Sequence, residues 1–261
     1  MKHLFLSIPP LSGSTVFQNY LVRCAQVNFF VLERNLTIPV EGHYVYGSDL
    51  LLSIQKMGLP FLPGAVVDES LGPVEYDWDE IKQSWNSFWS RNKSTATVNF
   101  QKTPADIFRV QTIQPHFSDL YWVLSVRNPY AVVESTIEKL LKARKKPAEH
   151  IDHILNHVTR SIEIQKENQA FLGDRAYNMT FEDFAARPDY HAEQLKLFMP
   201  ELNDLSFHGD IMVKGVVHDG IYNNNAERIE KLRNIPGAMN VVNKHFAQHE
   251  DIINYWGYEL I

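Results

Sequence analysis

The stretch LFLSIPPLSGST, residues 4–15, decides the fold because it joins a strand signal to a helix signal through a tight turn. Its first half is a short apolar run that ends at Pro9 and Pro10. Apolar residues at helical spacing then follow between Ser14 and Cys24. A strand that turns directly into a helix indicates a βα unit, which is the building block of a parallel sheet covered by helices.

The turn itself has the composition of an anion-binding loop. Gly13 permits a tight bend, and the hydroxyls of Ser12, Ser14 and Thr15 add donors to the backbone N–H groups at the start of the helix. It is not a Walker A loop, because it has one glycine, no lysine and too short a spacing. The alternative is a capped turn that binds no ligand.

Further strand-to-helix junctions extend this pattern along the chain. Short apolar runs predict strands at residues 28–32, 98–100, 120–126 and 176–179. Helix-capping signals follow three of these runs, namely Thr103 with Pro104 and Asp106, Asn128 with Pro129, and Thr180 with Asp183. We therefore predict an α/β fold with a parallel sheet, as a single domain over residues 1–261.

The region at about 55–95 is predicted to be an insertion in this domain. Prolines and glycines recur between residues 59 and 73, and an amphipathic helix is predicted from Asp79 to Arg91. The apolar side chains of this helix either face the core or line a substrate pocket: Ile81, Trp85, Phe88 and Trp89.

The composition excludes several classes of function. The chain has 261 residues, a net charge of -6 and a pI near 6.0, so a broad basic surface for nucleic acid is not expected. Its single cysteine, Cys24, excludes an intramolecular disulfide and a cysteine-only zinc site. No apolar stretch has the length of a membrane span, and we expect a soluble, cytoplasmic protein without stable membrane insertion.

Three histidines are spaced so that they share one helix face. His150, His153 and His157 would permit zinc capture, but no carboxylate or cysteine motif accompanies them. A solvated helix face explains the same spacing, so no metal site is predicted.

A second junction carries the positive charge that the first one lacks. Arg127 follows the apolar run at 120–126, and Ser135 lies two turns into the predicted helix. The guanidinium and the hydroxyl can clamp one phosphate through charge-assisted hydrogen bonds. The alternative is a surface arginine beside an ordinary helical serine.

Together, these segments resemble the two cofactor motifs of the sulfotransferases that use 3′-phosphoadenosine 5′-phosphosulfate (PAPS). The matching residues are 10–15 (Pro-Leu-Ser-Gly-Ser-Thr) and 127–129 (Arg-Asn-Pro) with Ser135. Residues 101–104 (Gln-Lys-Thr-Pro) and 180–184 (Thr-Phe-Glu-Asp-Phe) are similar to further elements of the bacterial and tyrosylprotein-sulfotransferase-like branch. Residues 214–219 (Lys-Gly-Val-Val-His-Asp) are a degenerate version of a late Lys-Gly-x-x-Gly-Asp loop.

The resemblance implies a P-loop NTPase-like, three-layer α/β sandwich with a parallel central sheet. It also implies PAPS as the cofactor, 3′-phosphoadenosine 5′-phosphate (PAP) as its product, and no metal ion. The acceptor would be a hydroxyl or amine of a small molecule or glycan, and the insertion at about 55–95 would lie on the acceptor side of the domain. Neither the acceptor's identity nor an oligomeric state follows from the sequence.

The resemblance also assigns nucleotide-binding residues. The 5′-phosphosulfate would be bound by the loop that contains Leu11, Ser12, Gly13, Ser14 and Thr15. Leu11 stands where the family usually has Lys or Arg. The 3′-phosphate would be bound by Arg127 and Ser135, and Lys214 would cover the nucleotide.

Sulfuryl transfer needs a base for the acceptor proton and a cation for the charge that moves onto the leaving phosphate. Because Leu11 carries no charge, Lys102 on the neighbouring loop is the expected cation. Glu41 is the expected base, His43 is second, and Glu33 is a nearby rival.

Two other functions fit parts of the pattern. Leu11 would also suit a non-catalytic relative that binds PAP or PAPS without transferring the sulfuryl group. A P-loop nucleotide kinase is a further alternative, although the missing Walker lysine argues against it.

Overall fold

A five-stranded parallel sheet lies at the centre of the structure, a computed structural model that describes residues 1–32, 35–39, 41–42, 76–91, 95–213 and 216–261. The strands of the described chain are β1 (Lys2–Ser7), β2 (Val27–Asn28), β3 (Val31–Leu32), β4 (Asn35–Pro39), β5 (Val98–Lys102), β6 (Leu120–Val126), β7 (Ala176–Thr180), β8 (Ile211–Val213) and β9 (Val216–His218). The central order is β2-β5-β1-β6-β7, and β3–β4 and β8–β9 are small antiparallel pairs.

Helices follow most of the strands and cover the sheet. The α-helices of the described chain are α1 (Ser14–Leu21), α2 (Trp78–Trp89), α3 (Val110–Ile113), α4 (Pro129–Lys142), α5 (Ile151–Leu172), α6 (Phe181–Ala186), α7 (Pro188–Phe198), α8 (Asn225–Arg233), α9 (Ala238–Phe246) and α10 (Glu250–Tyr255). Within the described ranges, none of these helices combines the length and the apolar character that crossing a membrane requires.

The side chains of the central strands alternate between two apolar cores. Leu4 and Leu6 of β1 pack with α1, α6 and α7 on one face, whereas Phe5 packs with α2 and α3 on the other. A further apolar cluster fills the space between α4, α5 and the helices α8, α9 and α10. The three-layer α/β sandwich predicted from the sequence is confirmed.

The predicted strands are confirmed at four positions, with small changes at their ends: β1, β5, β6 and β7. The prediction of one strand at residues 28–32 is wrong. The chain pairs with β5 only at Val27 and Asn28 and then leaves the central sheet. Phe30 stacks on Trp89 of α2 at a ring-centroid distance of 5.0 Å, and the next residues form the separate β3–β4 pair.

Side-chain caps begin α4 and α6 as predicted. Asn128 accepts hydrogen bonds from the N–H groups of the first turn of α4, and the Thr180 hydroxyl accepts one from the N–H of Asp183. The second half of the predicted box differs, because the Asp183 carboxylate is bound by the Arg187 guanidinium at 2.6 Å.

The capping box predicted at Thr103 is wrong. The amide of Gln101 donates to the Thr103 hydroxyl (2.8 Å) and to the Asp106 carboxylate (2.6 Å), which occupies both side chains. The chain then forms a 3₁₀ turn, Pro104–Phe108, for which the described chain shows no side-chain cap at Thr103.

The predicted insertion is only partly described, since its residues 55–75 lie outside the described residues. Its predicted helix is present as α2. Trp85 and Trp89 are 0% and 2% exposed and pack against Phe5, so this stripe faces the core rather than a substrate pocket. Cys24 is likewise buried in the core.

The central position of β6 predicts a large cost for truncating its side chains. Leu124 is 0% exposed, and we expect Leu124→Ala to lower the free energy of unfolding by about 2–5 kcal/mol, since it removes transfer free energy and leaves a cavity. Leu197→Ala, at a leucine that is 75% exposed, is the matched control and should change it by less than about 0.5 kcal/mol. Urea unfolding of both variants measures this, and equal losses would contradict the assigned core.

Candidate functional site

The carboxyl ends of the parallel strands meet at one edge of the sheet. The register pairs Leu6 of β1 with Lys102 of β5, and Val126 of β6 with Thr180 of β7. The strand order reverses beside β1, because the chain runs from β1 towards β2 and later from β6 towards β7. Ligands of open α/β sheets bind in the crevice outside such a switch point.

An open pocket of about 300 Å³ lies at this position, between the β1–α1 loop and α4. The sequence-predicted residues in its lining are Leu11, Gly13, Ser14, Thr15, Arg127 and Ser135. Ser12 is buried within the same loop, at 2% exposure. The remaining lining residues are Val16, Glu138, Lys139, Lys142, Val213 and Arg228.

The β1–α1 loop owes its shape to two residues with positive φ. Leu11 has a φ of 64° and Gly13 a φ of 91°. At Leu11 this left-handed conformation costs about 1–2 kcal/mol, since the residue has a Cβ. Gly13 is also required by packing, because a Cβ there would lie 2.5 Å from the ring of Phe181. The loop therefore delivers the first N–H groups of α1 to the pocket.

Arg127 is buried behind this loop, at 8% exposure. Its Nη1 donates to the carbonyl oxygen of Leu11 (3.0 Å), its Nε to Oδ1 of Asn225 (2.7 Å) and its Nη2 to Oδ1 of Asn224 (2.6 Å). The guanidinium also lies over the Phe181 ring, 5.0 Å from the centroid. Burial lowers the pKa of Arg127 to about 10, so the group keeps its positive charge at neutral pH.

A hydrogen-bonded carboxylate stands behind Arg127. Glu182 accepts from the backbone N–H of Asn128 (2.8 Å), from the Tyr258 hydroxyl (2.7 Å) and from the side-chain amide of Asn225. Asn224 and Asn225 were not among the predicted site residues, although the run Asn223–Asn225 before and at the start of α8 is visible in the sequence. Glu182 was noted only as part of the segment 180–184 that resembles the family.

The outer rim of the pocket carries more cations than carboxylates. Arg228 donates to Glu134 and Glu138 at 2.7 Å, and Lys142 lies 3.0 Å from Glu138. These hydrogen bonds lower the pKa of Glu138 to about 2. With Arg127 and Lys139, the lining has four cations and one carboxylate, a balance that favours an anionic ligand.

Two of the three residues predicted for catalysis, Lys102 and Glu41, are in direct contact at the end of β5. Nζ of Lys102 lies 2.6 Å from Oε1 of Glu41, and the side chains are 6% and 32% exposed. The backbone at Gly42 packs closely on Gln101, since a Cβ there would lie 2.5 Å from Nε2. The described lining of the 300 Å³ pocket includes neither Lys102 nor Glu41.

Other predicted residues are not placed at the pocket. His43, Lys214 and the rival base Glu33 lie outside the described residues. Among the described residues, no cluster of His, Cys, Asp or Glu is arranged to hold a metal ion. The expectation of a solvated helix face is wrong at His157, which is buried, at 1% exposure, in the packing of α5 against the rest of the fold.

The comparison with known families decides the classification. The model of the sulfotransferase family matches residues 9–199, well over half of the chain. The chain belongs to the sulfotransferase family. The match runs from the β1–α1 loop through β6 and α4 to α7, so it contains the loop and the helix between which the pocket lies.

Solved structures of sulfotransferases share the fold. The sulfotransferase domain from the curacin biosynthetic pathway is 16% identical, with a TM-score of 0.56 over 100% of this chain and 98% of that one. The sulfotransferase domain from the Synechococcus PCC 7002 olefin synthase is 17% identical, with a TM-score of 0.55 over 100% and 95%. Sulfotransferase STF9 from Mycobacterium avium is 10% identical, with a TM-score of 0.58 over 99% and 78%. No curated protein sequence matches the chain.

The shape of the β1–α1 loop in this sulfotransferase is testable with two glycines. Gly13 and Gly237 both begin a helix in the left-handed conformation, so an alanine costs about 1–2 kcal/mol of backbone strain at either position. A Cβ clashes with Phe181 at Gly13 but meets nothing within 4 Å at Gly237. We therefore expect Gly13→Ala to lower the melting temperature clearly more than Gly237→Ala. Equal effects in differential scanning calorimetry would show that the contact with Phe181 does not constrain the loop.

Proposed function

We propose that the protein transfers the sulfuryl group of PAPS to a hydroxyl or amine acceptor, a small molecule or glycan, and releases PAP. The observation that carries the proposal is Arg127, a buried cation whose three hydrogen-bond acceptors are neutral oxygens, at the wall of a pocket outside the sheet. Its positive charge is available to an anionic ligand, and membership of the sulfotransferase family makes PAPS the expected donor.

The loop between β1 and α1 binds the 5′-phosphosulfate in this proposal. Gly13, Ser14 and Thr15 line the pocket at the start of α1, where backbone N–H groups point towards a bound anion. Ser12 supports the loop from its buried position. Leu11 contributes shape and its carbonyl contact with Arg127, but no charge.

Arg127 and Ser135 bind the 3′-phosphate. Both line the same pocket, with Lys139 and Lys142 on α4 beside them. The rim cations Lys142 and Arg228 add positive potential for a nucleotide that carries two phosphate groups. Lys214, on the β8–β9 connection, is proposed to cover the nucleotide.

Lys102 and Glu41 perform the chemistry, with His43 as the second candidate for the base. Glu41 takes the proton of the acceptor hydroxyl or amine as its oxygen or nitrogen attacks sulfur. The bond between sulfur and the bridging oxygen breaks, and PAP leaves with the electron pair on its phosphate. Lys102 stabilises that charge, and its contact with Glu41 at 2.6 Å supports the pairing of a base with a cation. No step needs a metal ion.

A second candidate function rests on Leu11. A relative that binds PAP without transferring the sulfuryl group would keep the Arg127 site and have no need of a cation at the loop. The transfer experiment below separates this function from catalysis.

Binding of PAP tests the pocket. We expect PAP to bind in calorimetry, and Arg127→Ala to weaken it by roughly 10–100-fold, because charge-assisted hydrogen bonds to the 3′-phosphate are lost. Arg233→Ala is the matched control, since its side chain is 52% exposed and pairs only weakly with Glu230 at 3.5 Å. If folded protein fails to bind PAP at high micromolar concentrations, PAPS is not the donor.

Transfer of label from PAPS tests Lys102. We expect Lys102→Ala to lower transfer roughly 10²–10³-fold, as the loss of a preorganised charge-stabilising group does, while PAP affinity stays within about threefold. Lys146→Ala is the control, because Lys146 forms a similar ion pair at 2.8 Å with Glu149 but is 80% exposed.

The assay uses radiolabelled PAPS with a panel of hydroxyl and amine acceptors. Wild-type protein that binds PAP tightly but labels no acceptor would favour the non-catalytic alternative. Transfer that survives Lys102→Ala unchanged would exclude Lys102 as the cation.

A further inference from the structure

The carboxylate of Glu182 is surrounded by donors from three segments of the chain. The backbone N–H of Asn128 and the amide of Asn225 both donate to Oε1, and the hydroxyl of Tyr258 donates to Oε2 at 2.7 Å. A carboxylate that accepts several hydrogen bonds is held in one orientation. Burial raises the pKa of the Tyr258 hydroxyl, which therefore remains protonated and serves as a donor.

This carboxylate decides which way the Asn225 amide points. An ionised carboxylate only accepts, so the NH₂ group of Asn225 must face Glu182. The carbonyl oxygen of the same amide then faces Arg127, where it accepts from Nε at 2.7 Å. With the amide reversed, its NH₂ would meet the guanidinium, which only donates.

The Asn225 amide also separates the Glu182 carboxylate from the Arg127 guanidinium. The carboxylate of Glu182 reaches the guanidinium through Asn225, whereas a direct ion pair would compete with a ligand phosphate. Three of the five N–H groups of the guanidinium go to Leu11, Asn224 and Asn225, which leaves one on each Nη. These three hydrogen bonds fix the planar guanidinium at the wall of the pocket, and the remaining N–H group on each Nη can donate to a ligand.

We propose that Glu182, Asn225 and Tyr258 are positioning residues that hold Arg127 in the geometry that binds the 3′-phosphate of the nucleotide. None of them lines the described pocket, and they act through Arg127. The proposal rests on the proposed function and extends it, because it makes selection of 3′-phosphorylated nucleotides depend on the start of α8 and on Tyr258 near the end of the described chain.

The test compares two nucleotides that differ only in the 3′-phosphate, PAP and adenosine 5′-monophosphate (AMP). We expect Asn225→Ala to lower the ratio of PAP affinity to AMP affinity by roughly tenfold, because Arg127 loses a charge-assisted hydrogen bond and its orientation. Glu182→Ala should lower the ratio similarly. Glu182→Gln should keep the ratio of PAP affinity to AMP affinity within about threefold of wild type, since the side-chain oxygen of glutamine can still accept from Asn225.

Tyr258→Phe tests the same series of hydrogen bonds with a smaller perturbation. It removes one hydroxyl, so it should lower the ratio in the same direction by roughly two- to fivefold even if larger truncations fail to fold. Tyr222→Phe is the control, at a tyrosine that is 69% exposed, and should leave both affinities unchanged.

Each outcome decides a different point. Equal losses of PAP and AMP affinity, or an unchanged ratio in folded Asn225→Ala and Tyr258→Phe, would show that the three residues have only a structural role and would overturn the proposal. Wild-type protein that does not bind PAP would overturn the proposed function itself. The proposal requires that Asn225→Ala and Glu182→Ala lose PAP affinity selectively and that Glu182→Gln does not.

Discussion

The buried guanidinium of Arg127 constrains the structure around it, because three segments of the chain meet at this one group. A cation removed from water is costly unless hydrogen bonds replace its hydration, and these must come from residues that the fold brings within reach. The β1–α1 loop supplies the carbonyl of Leu11, and the start of α8 supplies Asn224 and Asn225. Segments that are distant in sequence are therefore held at one place beside the sheet.

The same constraint explains the conformation of the loop and the packing of α6. Leu11 adopts a positive φ, and its carbonyl oxygen meets Arg127. Phe181 is the first residue of α6. Its ring packs against the guanidinium of Arg127 and also against the backbone of Gly13, so it fills the space between them. Neutral acceptors and a close-packed ring thus surround a cation whose charge is not cancelled by direct contact, as the proposed anion site requires.

The position of the pocket follows from the topology. β1 and β6 are neighbours at the centre of the sheet, and their carboxyl ends carry the loop at 9–13 and Arg127. Because parallel strands direct all of these ends to one edge, residues from two separate βα units share a pocket. The contact of Lys102 with Glu41 arises in the same way, at the end of β5.

Local patterns predicted a large part of this fold. The apolar run at 120–126 became β6 without any change of boundary, because a strand buried on both faces needs apolar residues throughout. Asn128 capped α4 as predicted, because a cap depends on atoms within a few residues. The prediction at 28–32 was wrong because the end of this strand is set by its pairing with β5, which stops at Asn28, and a local apolar pattern does not show where a distant partner strand stops pairing.

The sequence by itself determined the βα units and the two polar junctions, since each is written in short runs of adjacent residues. The match over residues 9–199 then placed the chain in the sulfotransferase family. Only the tertiary structure decided which side chains meet. Arg127 and Asn225 are 98 residues apart, Lys102 and Glu41 are 61 apart, and Glu182 and Tyr258 are 76 apart. Hydrogen bonds of this kind depend on distances of about 3 Å between atoms, and those distances exist only after the apolar cores have packed the strands and helices together.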